Sequence, residues 1–110
     1  MWKIYFFETS RGEKPVEKFV ESVKSPTFAK IAHALDLLKS YGPFLKMPHS
    51  KKISAEIFEL RIRGKEEIRI FYSFIGEKIY LLSVYRKQTQ KMPANELKIA
   101  INRLRDLTNK

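Results

Sequence analysis

The chain has no cysteine. That excludes disulfides, thiol nucleophiles and cysteine-based metal centres. A chain without thiols suits a reducing cytoplasm, which is the expected compartment. Histidine is nearly as scarce. His33 and His49 lie outside any metal-ligand spacing, which argues against a zinc centre. No apolar run approaches the roughly 20 residues of a helical membrane span, so no membrane partner is expected. The opening MWKIYFFETS is too short and too soon charged to be a secretory signal. Internal repeats, low-complexity tracts and linkers are also missing. Acidic residues are outnumbered, 12 against 22 Lys and Arg, for a net charge of +10.

What remains is a globular composition. The 110 residues, 44% hydrophobic with eight Phe and five Tyr, suit one domain over residues 1–110 with one core. The positive charge is unevenly placed. Residues 1–43 carry 7 basic and 5 acidic side chains, whereas residues 44–110 carry 15 and 7. A basic face contributed by the second half would attract phosphate backbones through counterion release. Nucleic acid or the ribosome is therefore the favoured partner, ahead of an acidic protein.

Met1–Phe7 is rich in aromatic and β-favouring residues and predicts a strand. Pro15 then sits where a helix begins, and Val16, Phe19, Val20 and Val23 follow at helical spacing. Ser25-Pro26 repeats the punctuation, with Ser25 as an expected N-cap. Phe28, Ile31, Ala32, Leu35 and Leu38 line one face of a second helix that stops at Gly42-Pro43. The short link predicts an antiparallel helical hairpin. Phe44–Ser54 reads as an irregular loop, because Pro48 bars an early central strand. Its Lys51 and Lys52 are candidate ligands for RNA. After the sheet, Met92-Pro93 opens a last helix with Leu97, Ala100, Ile101, Leu104 and Leu107 on one face.

Between them, Ile57–Lys91 predicts three consecutive antiparallel strands. Paired residues must share a face. A two-residue loop at Gly64-Lys65 would set Arg61 opposite Ile68 and mix the faces. A three-residue loop, Gly64–Glu66, instead pairs Ile62 with Ile68, Leu60 with Ile70 and Phe58 with Tyr72. It also sets Arg61 directly opposite Arg69. Like charges so placed repel, and either Glu59 and Glu67 neutralise them or an external anion does. A two-residue turn at Gly76-Glu77 would then put Tyr80, Leu82, Val84 and Arg86 on the arginine face. Ile79, Leu81, Ser83 and Tyr85 would join the face covered by the helices. The arginine face is expected to be a shallow groove floored by apolar and aromatic residues such as Phe71. Guanidinium groups grip phosphates and aromatics stack on bases, which suits single-stranded nucleic acid.

The order β-α-α-β-β-β-α, with the strings LRIRG, IRIFY and LLSVYRKQTQKMP and the ELKIAINRL helix, resembles the RelE/HigB superfamily of type II toxin–antitoxin toxins. The phage-derived Gp49-like HigB group, with its Lys-rich C-terminal signature, is the particular likeness, and it covers nearly the whole chain. The resemblance implies an α+β, RelE-like fold: a mostly antiparallel sheet, a helical hairpin on one face and a C-terminal helix. It implies a ribosome-dependent mRNA endonuclease, or mRNA interferase, that inhibits translation. A ribose 2′-OH would attack the adjacent phosphate without metal or other cofactor. The implied partners are ribosome, mRNA and a cognate antitoxin of the helix-turn-helix, HigA-like type. Arg61 and Arg69 fall at the family's strand arginines and would neutralise the scissile phosphate. Lys87, at the end of the last strand, would assist or protonate the leaving oxygen. Lys51, Lys52, Arg86, Lys91 and Phe71 would bind RNA. Some relatives carry a Tyr or His near the C-terminus, but residues 95–110 hold neither. Tyr85, His49 or Glu59 would substitute, in that order. The alternatives are a ParE-like inhibitor of DNA gyrase and a non-catalytic nucleic-acid-binding relative.

Overall fold

The computed structural model describes residues 1–109. Strand β1 (Lys3–Phe6) is followed by helices α1 (Pro15–Ser22) and α2 (Ser25–Tyr41) and a 3-10 turn (Gly42–Phe44). Strands β2 (Ser50–Lys52), β3 (Phe58–Ile62), β4 (Ile68–Ile75) and β5 (Lys78–Arg86) precede helix α3 (Ala94–Thr108). The strands form one sheet in the order β1-β5-β4-β3-β2. Only the β1–β5 pair is parallel among the described residues. This is the α+β, mostly antiparallel architecture that the element order predicts.

The helix starts follow the prolines. Pro15 opens α1 and Pro26 lies in the first turn of α2. Ser25 is already helical, so the cap position of α2 falls to Lys24, and no side chain caps it. Glycine stops α2 as expected: Gly42, at φ 51°, donates its N–H to the Leu38 carbonyl. Trp2 explains why no other residue serves there. Its backbone N–H donates to the Lys39 carbonyl at 3.1 Å, and its indole occupies the space a Cβ on residue 42 would need. Gly42→Ala combines that clash with a left-handed φ and is expected to cost about 2–3 kcal/mol. Urea unfolding measures it.

The β3–β4 register is the predicted one, with Phe58, Leu60 and Ile62 opposite Tyr72, Ile70 and Ile68, and Arg61 opposite Arg69. The β4–β5 hairpin begins as expected, with Ile75 opposite Lys78 and Tyr72 opposite Leu81. Then it slips. Phe71 faces Ser83, so Leu82 is an extra residue on β5. Such a bulge moves every later side chain to the other face. The expected placements of Val84, Arg86, Ser83 and Tyr85 are therefore reversed: Tyr85 now pairs with Arg69 and Arg86 with Ile68. Arg103 of α3 donates to the Leu82 carbonyl at 2.7 Å, which satisfies the bulged peptide.

Each face carries its own core. Val16, Val20, Ile31, Ala34 and Leu38 of the helical hairpin pack on Leu60, Ile62, Ile68, Ile70, Tyr72, Ile79 and Leu81. On the other face Ala100 and Leu104 of α3 cover Ile57, Phe71, Leu82 and Tyr85. The arginine face is thus no open groove: its apolar part is roofed by α3. The segment expected to be a loop also contributes a strand. β2 pairs with β3 at the sheet's margin, Ser50 opposite Leu60 and Lys51 opposite Glu59. Three residues are too few for alternation to announce a strand.

A buried arginine–glutamate–tyrosine cluster as candidate active site

On the same face, the charged side chains of β3 and β4 meet the Tyr85 phenol of β5. Glu59 (β3) is at their centre and is 3% exposed. Its Oε1 accepts from Arg61 Nε at 3.2 Å and lies 3.6 Å from Arg69 Nη1. Its Oε2 accepts from the Tyr85 hydroxyl at 3.0 Å. Arg69 is itself 3% exposed, and its Nη2 donates to Glu67 at 3.0 Å. The repulsion between facing arginines is relieved by these two carboxylates. The relief is incomplete, because Nε and Nη1 of Arg69 are buried with no hydrogen-bond acceptor. Of these two, Nη1 is still held electrostatically by Glu59 at 3.6 Å.

The bulge is what completes the cluster. In an unbroken β5, Tyr85 would point into the core under the helical hairpin. The slip aims it at Glu59 and stacks its ring 5.6 Å from Phe71. Burial, and then the Glu59 charge and hydrogen bond, push the phenol well above its usual value of 10. Tyr85 therefore stays protonated at physiological pH, which makes it a donor and unfits it as a general base. Burial likewise raises Tyr72, whose hydroxyl bonds to that of Ser50. Both phenols bind their protons more tightly folded than unfolded. Their contribution to stability is then constant below about pH 10 and is lost as pH rises beyond it. Alkaline melts of the wild type against Tyr85→Phe should show a shallower loss in the variant.

The expected site residues divide into three groups. Arg61, Arg69 and Tyr85 are in contact through Glu59, and Lys51 stands exposed opposite Glu59. The Lys87 N–H donates to the Glu67 carbonyl at 2.8 Å, continuing the slipped register, so half-buried Lys87 shares the face of Tyr85. His49, whose carbonyl accepts from the Arg61 N–H at 2.8 Å, is exposed and lines the same groove as Arg61.

A second group points elsewhere. Arg86 lies on the opposite face, 4.8 Å over the Phe19 ring and bonded to Glu66 at 2.6 Å. Glu66 also accepts from Thr27 at 3.1 Å, and Arg86 and Thr27 together hold its carboxyl below the usual range. Lys52 stands opposite Phe58, its Nζ 5.9 Å from that ring, and faces away from the cluster. Phe71 is fully buried beneath α3, so no base can stack on it. Lys91, finally, lies in the β5–α3 connection, exposed and outside the strands that build the cluster.

Glu59 is the residue whose weight the sequence understated. Its signal was present: an acid flanked by apolar residues and facing two arginines. The slip at Leu82 also left a trace. Leu81-Leu82 breaks the two-residue alternation of β5, and two adjacent apolar residues in a half-buried strand mark a bulge.

None of the curated proteins matches the chain. One family model does, that of "Phage derived protein Gp49-like (DUF891)", across residues 18–105. The matched span runs from α1 into α3 and includes every residue of the cluster. The chain belongs to this Gp49-like family, a RelE/HigB-type family of toxin–antitoxin toxins, which implies an antitoxin partner.

Proposed function

We propose that this toxin is a ribosome-dependent mRNA endonuclease, with the Glu59–Arg61–Arg69–Tyr85 cluster as its phosphate site. The observation that carries the reading is the confrontation of Arg61 with buried Arg69 across the β3–β4 pair, with exposed Lys51 beside them opposite Glu59. Cleavage by an internal 2′-OH puts an added negative charge on the phosphate oxygens in the transition state. Preorganised guanidinium groups in a water-poor site stabilise such charge strongly. Arg61 and Arg69 supply that charge, so the reaction needs no metal at the phosphate. The attacking 2′-OH gives its proton to His49. Of the three candidate bases, Tyr85 is held protonated and Glu59 is buried among its donors, whereas His49 is exposed beside Arg61. The 5′-oxygen leaves with a proton from Lys87, and a 2′,3′-cyclic phosphate remains. Tyr85 and Glu67 hold Glu59 and Arg69 in place.

Inducible expression with primer-extension mapping of mRNA ends tests the reading. Arrested translation with new, ribosome-dependent 5′ ends is the expected result. Arrest with intact mRNA and a DNA-damage response would replace it with gyrase inhibition. Normal growth with salt-sensitive RNA binding would leave only a binding protein.

The geometry also grades the basic residues. Each phosphate contact contributes about −0.7 to the slope of log K against log salt for a single strand. Lys51→Ala should flatten that slope by about one such contact. Arg86→Ala, on the far face, should leave it unchanged. Titration of a short single-stranded RNA at several salt concentrations separates them.

A further inference from the structure

The bulge that aims Tyr85 at Glu59 is held from outside the sheet. The Leu81 carbonyl accepts from the Phe7 N–H, just beyond β1, at 3.0 Å. Successive strand carbonyls alternate in direction, so in an unbroken ladder the Leu82 carbonyl would bond across to β4. At the bulge Arg103 of α3 takes it instead, Nη1 donating at 2.7 Å. The Arg103 guanidinium lies 5.3 Å from the centre of the buried Phe7 ring. Burial lowers its pKa, and the Glu96 charge works against that loss.

Two registers compete for β5. A ladder running unbroken from the Tyr72–Leu81 pair would set Leu82 opposite Phe71, Val84 opposite Arg69 and Tyr85 opposite Ile68. Leu82 points into the α3 core in either register, so its apolar packing does not choose between them. Polar contacts do. Only the bulged register gives Tyr85 to Glu59, gives Ser83 to the Glu96 carbonyl at 3.4 Å, and leaves a carbonyl for Arg103. Of these contacts, that of Arg103 acts at the extra residue itself.

We propose that Arg103 is a positioning residue of the phosphate site: by holding the bulge from α3 it sets the face of Tyr85 and, through Tyr85 and Glu59, the geometry of Arg61 and Arg69. The inference rests on the phosphate site proposed above. The Tyr85 hydroxyl holds Glu59 Oε2 at 3.0 Å, and Glu59 Oε1 lies 3.2 Å from Arg61 Nε and 3.6 Å from Arg69 Nη1. With Tyr85 on the other face, Oε2 is buried without its donor. The carboxylate then turns to satisfy it, and the two guanidinium groups follow. Arg103 does this without touching RNA. The position calls for arginine, because a planar guanidinium stacks on Phe7 while it donates, and an ammonium has no such face.

Two readings test this on the full-length protein: cleavage kinetics on mRNA-programmed ribosomes, and the nuclear Overhauser contacts of the Tyr85 ring. Arg103→Met keeps the length of the side chain and removes its charge and donors. Its kcat should fall about 10²-fold with KM within about twofold of wild type. Tyr85 should leave Phe71, whose ring is 5.6 Å away in the wild type, for the hairpin core. Arg103→Lys should lose about tenfold in kcat, with Tyr85 divided between the two faces. Tyr85→Phe should lower kcat in the wild-type background and add nothing to Arg103→Met, whose Tyr85 hydroxyl has already left Glu59. A residue that merely anchors α3 would change the melting temperature and leave Tyr85 on Phe71. Unchanged kcat, or Tyr85 wholly on Phe71, in either folded variant would overturn the proposal. So would an undiminished cost of Tyr85→Phe in Arg103→Met. If Arg103→Met does not fold, Arg103→Lys decides by the same two readings. Intact mRNA with the wild type, while Tyr85 changes face in the variants, would refute the nuclease reading and leave the positioning of Tyr85 by Arg103 standing.

Discussion

Arg61→Ala is expected to abolish growth arrest on induction and to lower mRNA cleavage by about 10²–10³-fold. The size follows from the chemistry. A donor aimed at developing charge contributes far more to the transition state than to the resting protein. The resting role of Arg61 is small: a half-buried side chain with one hydrogen bond, to Glu59 at 3.2 Å. Its removal leaves Glu59 with Tyr85 and Arg69, so the fold should lose only about 1 kcal/mol. Arg61→Ala therefore separates activity from stability, which Arg69→Ala cannot do, because Arg69 is buried between two carboxylates. Ribosome-programmed cleavage assays together with urea unfolding give both readings on one preparation. Full cleavage by a folded Arg61→Ala protein would remove this cluster from the mechanism.

Glu59→Ala should act the other way round, on the fold first. It strands the Arg69 guanidinium in the sheet and leaves the Tyr85 hydroxyl without its acceptor. Breaking a buried pair by deleting one partner typically costs about 3–5 kcal/mol. Glu67 limits the damage, since it bonds Arg69 Nη2 at 3.0 Å. Glu67 is itself half exposed, however, and Glu67→Ala should cost no more than about 1 kcal/mol. The double variant Glu59→Leu/Arg69→Met should recover most of the stability, because replacing both buried charges by apolar groups of similar volume is often neutral. Chemical unfolding of the four proteins in that cycle isolates the coupling. Additive losses would mean that Arg69 is held by Glu67 alone.

The faces of β3 and β4 were legible in the sequence because alternation and loop length constrain each other. Once Ile62, Leu60 and Phe58 must face apolar partners, a three-residue loop follows, and Arg61 lands opposite Arg69. The helices were legible from Pro15, Pro26 and Gly42, which act within a single turn. Strand β2 was not, because its three residues gain their order from pairing with β3. The same reason hid the fate of Phe71. An apolar residue on an arginine-bearing strand reads equally as a stacking platform or as core, and only the docking of α3 decides between them.

The sequence by itself determined the order of every element but β2, the basic second half and the confrontation of two arginines across one hairpin. All are set by local propensity, by charge and by the two-residue period of strands. Tertiary structure decided what those arginines do. One extra residue at Leu82, satisfied by Arg103 from α3, turned Tyr85 toward Glu59 and sent Arg86 to the far face. A bulge depends on the partner strand and on the helix that covers it. Its effect is all or nothing, since a shift of one residue exchanges the two faces of everything that follows.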